Sequence, residues 1–483
     1  MEFLIVRAIL PRYAHIPQSM QFTFESRVRA PLALLDAWHH RPGALARLTP
    51  PADGIRVIEA PGGIANGSRA TLSVPVLPGI RVAWTAEHRD VRPGEGFTDV
   101  QLEGPFAEWI HTHRFLPDPD NPSGSLLRDE IVCSPHGGRA GALLAGPILR
   151  RRLNRLFAWR HARTIADVEL LHRQPPARAR HILVAGASGM IGRALIPYLL
   201  QAGHRVTTLS RQPAGPDSRT WDPAAGRIDL AGLDPIDAVI HLAGENVASG
   251  RWTQARRNRI LSSRVDGTRL LAETLAAMTP RPAAMICASG ISGYAADGRP
   301  QDEASPTDTS GFLGEVVQAW EAAADPARAA GIRVVHCRLG VVLGADGGAL
   351  GKLAPVFRLG LGGPVGNGQA GFPWIAIDDV IELFHRAVDD PAYAGVINAV
   401  APNPITNGAF TRALASVLHR PAMLPLPRAA VLLLFGQMGK ETLMADHVVM
   451  SRRLDSLGFS FRFPVIQDAL AYLLLRLPSL PSR

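Results

Sequence analysis

The rhythm of apolar and polar positions changes near residue 180. Before that point short segments alternate with the two-residue period of a strand, as in Gln21-Phe-Thr-Phe-Glu-Ser-Arg-Val28 and again over 56–60, 70–76, 82–90, 97–103, 106–115 and 125–133. A short helical pattern, Leu32–His39, follows Ala30-Pro31, and an amphipathic stretch from Gly141 to Leu171 closes the set. Beyond 180 the strands become continuously apolar: His181-Ile-Leu-Val-Ala185, Val239-Ile-His-Leu-Ala-Gly244 and Met285-Ile-Cys-Ala-Ser289, with helical segments between them. Strands buried on both faces and alternating with helices predict a parallel sheet. The two halves therefore predict different folds, joined at Gln174-Pro-Pro-Ala-Arg-Ala-Arg180, whose prolines and charges read as a link.

The first apolar strand runs into Gly186-Ala-Ser188-Gly189-Met190-Ile191-Gly192 and then into a helical pattern over Leu195–Leu200, closed by Ala202-Gly203. Glycines three apart between a strand and a helix form a phosphate site. The first permits a tight turn, the second lets the backbone approach a pyrophosphate, and the third brings helix against strand, while the helix N-terminus offers unpaired N–H groups and a positive dipole. Pro197 inside that helix predicts a kink. The next strand, Arg205–Ser210, ends in Arg211, where an NAD-binding chain usually places an acidic residue for the ribose hydroxyls. A guanidinium meets a 2′-phosphate with forked hydrogen bonds and a carboxylate repels it, so NADP(H) is expected rather than NAD. The competing reading makes Arg211 a solvated charge at a strand end.

Gly186-x-x-Gly189-x-x-Gly192, the segment His241-Leu242-Ala243-Gly244-Glu245-Asn246 and Arg251-Trp252-Thr253 resemble the extended short-chain dehydrogenase/reductase superfamily, and more narrowly its NAD(P)-dependent epimerase-like family. The likeness runs from about residue 180 to 475 through Ser263-Arg264-Val265, Gly293-Tyr294, Asp302-Glu303, Trp320-Glu321, Arg338–Gly344, Trp374-Ile375, Asp378-Asp379, Asn398 and Ala401-Pro-Asn-Pro404. It implies an α/β fold: a doubly wound parallel Rossmann sheet with a small C-terminal cap region. It also implies cofactor contacts at Gly186, Ser188, Gly189, Met190, Ile191, Gly192, Ser210, Arg211, Leu242, Ala243, Gly244 and Glu245. Arg251, Trp252, Trp374 and Asn398 are the implied substrate cleft, although Trp374-Ile-Ala-Ile-Asp-Asp reads equally as a strand packing into a helix cap. The front strands and terminal helix resemble the START-like helix-grip fold, an α+β domain preceding the sheet. Trp109-Ile-His111-Thr-His113-Arg-Phe115, Asp129 and Trp159-Arg160-His161 match the version fused to this family.

The strand Met285–Ser289 delivers Ser289, Ser292 and Tyr294 toward the nicotinamide end. In short-chain reductases a strand-end Ser holds the substrate oxygen, a Tyr moves its proton, and a Lys four residues later lowers the Tyr pKa. Counting back from Trp320-Glu321, the Tyr-x-x-x-Lys positions hold Leu313 and Val317, and the residue four before Tyr294 is Gly290. The catalytic candidates are therefore Ser289, Ser292 and Tyr294, with Glu245 beside them, or hydride chemistry is lost. One reading is an NADP(H)-dependent oxidoreductase or nucleoside-sugar-epimerase-like protein acting on a small carbonyl or alcohol substrate. The other is a non-catalytic NADP(H)-binding sensor coupled to a START-like domain that takes a hydrophobic ligand.

The expected organisation is a leader at 1–19, a START-like domain at 20–173, a link at 174–180, a Rossmann domain at 181–400 and a substrate or cap region at 401–483. In that last region helical patterns flank Pro421–Pro427, and further ones cover Leu443–Leu454 and Ile466–Leu477. A length of 483 residues, 47% of them hydrophobic, supplies cores for several domains. The net charge of +9 points toward nucleic acid, yet the basic residues are dispersed. Their densest run, Arg150-Arg151-Arg152 with Arg155, Arg160 and Arg163, reads as the polar face of one helix, so no nucleic-acid partner is expected. Cys133, Cys287 and Cys337 form no Cys-x-x-Cys pair, which argues against a disulfide framework and fits a cytoplasmic setting. The apolar run at Met1–Arg7 is too short for a secretory signal core, and 429–435 is too short to span a bilayer. His111 and His113 share one strand face, but with no evident third ligand they read as cavity lining, and no metal is expected. Phe22, Phe24, Trp38, Trp84 and Phe106 read as core. The expected partners are a small-molecule substrate and an apolar ligand in the front domain; the sequence sets no oligomeric state.

Overall fold

The computed structural model describes residues 19–60, 63–77, 79–174 and 178–480. The expected leader thus lies almost wholly outside the described residues, as does the middle of the link. The chain divides into two compact units, Met1–Pro175 with Leu477–Arg483, and Pro176–Arg476.

The front unit runs β1 (Met20–Val28), α1 (Leu32–His40), α2 (Ala44–Arg47), β2 (Arg56–Glu59), β3 (Arg69–Leu77), β4 (Ile80–Arg92), β5 (Gly96–Glu103), β6 (Glu108–Asp118), β7 (Asn121–Ser134) and α3 (Gly138–Arg173). The alternation read from the sequence becomes one antiparallel sheet in the order β1-β7-β6-β5-β4-β3-β2. Its apolar face meets α3: Phe22, Phe24, Trp109, Ile131 and Cys133 cluster with Leu153 and Phe157, and the Phe24 and Phe157 rings stack at 4.6 Å. The arginines of α3 do not form one solvated face. Arg163 is buried with its guanidinium over the Trp159 ring, and Arg160 donates to the Leu48 carbonyl, because the second half of α3 is enclosed on most sides.

The second unit contains β8 (His181–Ala185), α4 (Met190–Gln201), β9 (Arg205–Ser210), β10 (Ser218–Asp222), β11 (Arg227–Ile228), β12 (Ala238–His241), α5 (Gln254–Ala277), β13 (Ala284–Gly290), β14 (Asp297–Gln301), α6 (Phe312–Ala322), α7 (Asp325–Ala329) and β15 (Arg333–Leu339). It continues with β16 (Val341–Gly344), α8 (Gly348–Arg358), β17 (Trp374–Ala376), α9 (Ile377–Asp389), β18 (Gly395–Ala399), α10 (Asn407–Leu418), α11 (Arg428–Phe435), α12 (Gln437–Glu441), β19 (Asp446–Val449), α13 (Arg452–Ser456) and α14 (Ile466–Leu473). The main sheet has the order β11-β10-β9-β8-β12-β13-β15-β18, parallel except at β11. Every residue of β8 and β12 is buried, which is why those strands carry continuous apolar runs. α4 continues through Pro197. The helix expected over Leu443–Leu454 is instead β19 followed by α13. β19 pairs with β14 at Val448 and Val449, and the Ser451 hydroxyl caps α13 by accepting from Leu454 N–H, so tertiary pairing overrides the helical pattern. No helix among the described residues is long and apolar enough to cross a membrane.

Buried neutral histidines make this unit sensitive to acid. His241 in β12 is fully buried with Nε2 2.9 Å from Thr268 Oγ1, and burial together with the Arg264 charge lowers its pKa to about 4. An unfolded chain takes up that proton near 6.5, before the fold can, so stability present at neutral pH is lost as the pH falls from 6.5 toward 4. At about 1.4 kcal/mol per unit, His241 alone removes on the order of 3 kcal/mol at the lower end. Denaturant titrations at pH 7 and pH 4.5 are expected to show this loss, and His241→Gln to lessen it. An equal loss in the variant would assign the acid sensitivity elsewhere.

Candidate functional site

β8 and β12 are neighbours whose successors run in opposite directions along the sheet, β9 and β10 to one side and β13, β15 and β18 to the other. Such a reversal opens a crevice beyond the C-terminal strand ends. The glycine loop lies there. Gly186 has φ +90°, and a Cβ on it would stand 2.7 Å from Ala243 N and Leu242 C, so the loop rests on the backbone that follows β12. A Cβ on Gly192 would stand 2.4 Å from Gly186 O. α4 begins after Gly189 with no side-chain cap, which leaves the first-turn N–H groups at Met190 and Ile191 for an anion. Ser188 is exposed and its carbonyl accepts from Arg193.

At the end of β9 the Ser210 hydroxyl donates to Gln212 O at 3.0 Å and accepts from Gln212 N at 3.1 Å, closing the turn that carries Arg211. Arg211 is exposed and its guanidinium has no protein partner among the described residues. The nearby Arg219, by contrast, donates to the Pro216 and Ser218 carbonyls. Beyond β12, Leu242 N–H donates to Ala185 O at 2.8 Å, and Glu245 N–H donates to Ser263 Oγ at 3.0 Å. A Cβ on Gly244 would meet the Arg264 guanidinium at 3.1 Å, so the Leu242–Glu245 segment is fitted closely to α5.

Sequence reasoning missed the segment that walls this loop. The Met190 sulfur lies against Gly344 and Gly347, where a Cβ would stand 2.7 and 3.1 Å from it, and Arg193 pairs with Asp346 at 2.8 Å. The signal was present in Gly344-Ala-Asp-Gly-Gly348, a glycine cluster after a strand, but nothing local ties it to α4.

Parallel register places Ser289, Arg338 and Asn398 side by side at the ends of β13, β15 and β18. Ser289 donates to Glu321 Oε1 at 2.6 Å, and Arg338 grips both oxygens of Glu321 at 2.8 Å. The Arg338 guanidinium sits 4.7 Å over the Tyr294 ring, and Tyr294 donates to Asn398 Oδ1 at 2.9 Å. Asn398 in turn donates from Nδ2 to Met450 O and from its backbone to Glu303. Tyr294 is 2% exposed, and burial outweighs the nearby Arg338 charge to raise its pKa. Ser289, Tyr294 and Asn398 thus belong to one buried network. Ser292 differs: it is half-buried, and its hydroxyl has no partner among the described residues.

The remaining cleft residues are spread out. Arg251 is exposed and donates to Leu433 O at 2.9 Å; Trp252 donates to Val247 O at 2.8 Å and packs edge-on against Phe312. Trp374 is 1% exposed within β17, which pairs with β16 and leads into α9, so it takes the strand-to-helix arrangement.

Residues 182–399 match the family described as the NAD dependent epimerase/dehydratase family, and residues 426–473 match a domain of unknown function. The bovine epimerase family protein SDR39U1 is 40% identical over 295 residues, 60% of this chain and 98% of the bovine protein. The chain belongs to this epimerase family. Human SDR39U1, crystallised with NADPH, is 37% identical with a TM-score of 0.57 over 62% of this chain and all of that one. A nucleoside-diphosphate sugar epimerase from Corynebacterium glutamicum is 31% identical with a TM-score of 0.78, over 95% of this chain and 91% of that one, so the likeness extends into the front unit. Leu313 and Val317, the positions reached by counting back from Trp320-Glu321, are buried, at 7% and 4% exposed. Val317 leans so closely on Gly293 that a Cβ there would stand 2.8 Å from its Cγ1.

Proposed function

We propose that the chain binds NADP(H) on the glycine loop and acts as an oxidoreductase or nucleoside-sugar-epimerase-like enzyme on a small carbonyl or alcohol substrate. The observation that carries this reading is Arg211, an exposed guanidinium without a protein partner among the described residues, on a fixed turn after β9, the neighbour of the strand that leads into the glycine loop. The NADPH in the human relative supports the same choice. The bound nicotinamide supplies or accepts a hydride at carbon. The chain's own share is positioning. N–H groups of α4 receive the pyrophosphate, Arg211 the 2′-phosphate, and the Leu242–Gly244 backbone the adenosine side.

Among the three hydroxyls, Ser292 is the one left to hold a substrate oxygen. Ser289 and Tyr294 act as positioning residues, fixing the turn that carries Ser292 through Glu321 and Asn398. NADPH consumption with aldehydes and ketones, and product analysis with sugar nucleotides, where epimerisation returns the hydride and consumes no net cofactor, test this. Ser292→Ala is expected to lower kcat on the order of 10²-fold with NADPH affinity unchanged, the scale of one lost oxygen-stabilising donor. Tyr294→Phe is expected to cost about 1 kcal/mol of stability and to leave most of the turnover. Turnover abolished by Tyr294→Phe but kept by Ser292→Ala would reverse the roles. Tight NADPH binding with neither carbonyl reduction nor epimerisation of any sugar nucleotide would leave a nucleotide-binding protein without hydride chemistry.

The front domain is proposed as a START-like helix-grip module over 20–173, with the Rossmann domain at 181–400 and the cap from 401 onward. Support comes from the seven-stranded antiparallel sheet packed on the 36-residue α3 and from a cavity beside α1 and α2. That cavity departs from a purely apolar pocket: Leu45, Leu48 and Phe97 share its lining with Asp99, His113 and Arg160. A ligand suited to it has an apolar body and a polar end.

A further inference from the structure

The polar end of that cavity is built from three strands. His111 and His113 project from one face of β6; Asp99 of β5 stands opposite His111, and Asp129 of β7 stands opposite His113. Both histidines are 4% exposed and Asp129 is 3% exposed. Asp129 Oδ1 lies 2.9 Å from His111 Nε2 and 2.7 Å from His113 Nδ1, the latter contact off the line of a good hydrogen bond. Its Oδ2 lies 2.7 Å from His161 Nε2, and His161 Nδ1 meets Ser26 Oγ at 2.9 Å.

An ionised carboxylate only accepts, so Asp129 draws the Nε2 protons of His111 and His161 toward its two oxygens. His111 Nδ1 is left with a lone pair, and it and His113 Nε2, which hydrogen-bonds Asp99, both converge on Asp99 Oδ2, at 4.0 and 3.4 Å. The His111 lone pair facing the carboxylate is repelled by it, and a cation that takes the place of the His113 Nε2 proton would satisfy all three atoms. The spacings are long for hydrogen bonds but close to the edge of about 3.3 Å in a tetrahedron whose metal bonds are about 2.0–2.1 Å.

We propose that Asp99, His111 and His113 bind a divalent, zinc-class metal ion, with Asp129 as the outer carboxylate that orients both imidazoles. A carboxylate oxygen and two imidazoles suit such an ion, and a carboxylate behind ligating histidines is the usual outer shell. Asp99 and His113 line the cavity, which leaves about 70 Å³ beside them for water or a ligand oxygen and is bounded also by His39, His88 and Arg160. The third ligand escaped the sequence reading because Asp99 joins the histidines only through the β5–β6 hairpin register.

The test uses the tag-free, full-length chain, stripped with chelator and then loaded with zinc or cobalt. Uptake of one equivalent is expected, with the visible bands of low-coordinate cobalt and X-ray absorption showing nitrogen and oxygen neighbours, including two imidazoles. Asp99→Asn and His113→Gln are each expected to weaken binding at least about 100-fold, and Asp129→Asn about 10- to 100-fold. His385→Gln, which alters the separate His204–His385–Asp389 group, is expected to leave uptake unchanged. No uptake by the wild type overturns the proposal, as does sulfur ligation or loss through His385→Gln alone. The absorption spectrum of the wild type decides the ligand set even where a variant fails to fold.

Discussion

Arg211→Ala is expected to weaken NADPH binding on the order of ten- to a hundred-fold and to leave NADH binding nearly unchanged. The guanidinium is exposed and has no protein partner among the described residues, so its removal breaks no internal bond and should not disturb the fold. A charge-assisted hydrogen bond lost without replacement costs about 1.5–3 kcal/mol, which sets the size of the effect. Only NADPH carries the 2′-phosphate, so the loss should be selective. Calorimetric titration of both nucleotides against wild type and variant measures it. Equal weakening of both would give Arg211 a general electrostatic role. Unchanged NADPH affinity would move the phosphate to another cation, and Arg219 would first have to release the Pro216 and Ser218 carbonyls.

Gly186→Val is expected to abolish measurable nucleotide binding and to destabilise the second unit. A φ of +90° is disfavoured for a β-branched residue, and the new Cβ would stand 2.7 Å from the backbone at Leu242 and Ala243, which cannot swing aside as a side chain tip can. The conformational strain costs about 1–3 kcal/mol and the overpacking about as much again. Because the colliding segment is the one proposed to receive the adenosine side, the damage falls on both walls of the crevice. Thermal unfolding with and without NADPH separates the two effects. A variant that melts like wild type and still gains stability from NADPH would show that the loop does not need its glycine.

The parts of this site that are contiguous in the chain were legible in the sequence. Strand, glycine loop, helix and Arg211 all lie between residues 181 and 211, and their meaning depends on local backbone chemistry. Most of the front strands were equally legible from their two-residue alternation, as in β1 and β6, although β2 is exposed along its whole length. What the sequence could not show is pairing across the sheet. Ser289 meets Glu321 and Tyr294 meets Asn398 only because β13, β15 and β18 lie in parallel register, so two of the expected catalytic hydroxyls are drawn into one buried hydrogen-bonded network. Asp99 beside His111 and His113 is the same lesson at shorter range, since a hairpin register turns a histidine pair into a possible ligand set. β19 was hidden for a related reason: its partner β14 lies far away in the chain, and four residues carry too little pattern to outweigh the helical reading around them.

A crystal structure of the full-length chain with NADPH tests the central claim most directly. The account predicts the pyrophosphate at the N–H groups of Met190 and Ile191, the 2′-phosphate within hydrogen-bonding distance of Arg211, and the nicotinamide C4 facing Ser292 with Tyr294 still bonded to Asn398. A 2′-phosphate held away from Arg211, or a nicotinamide turned away from Ser292, would contradict it.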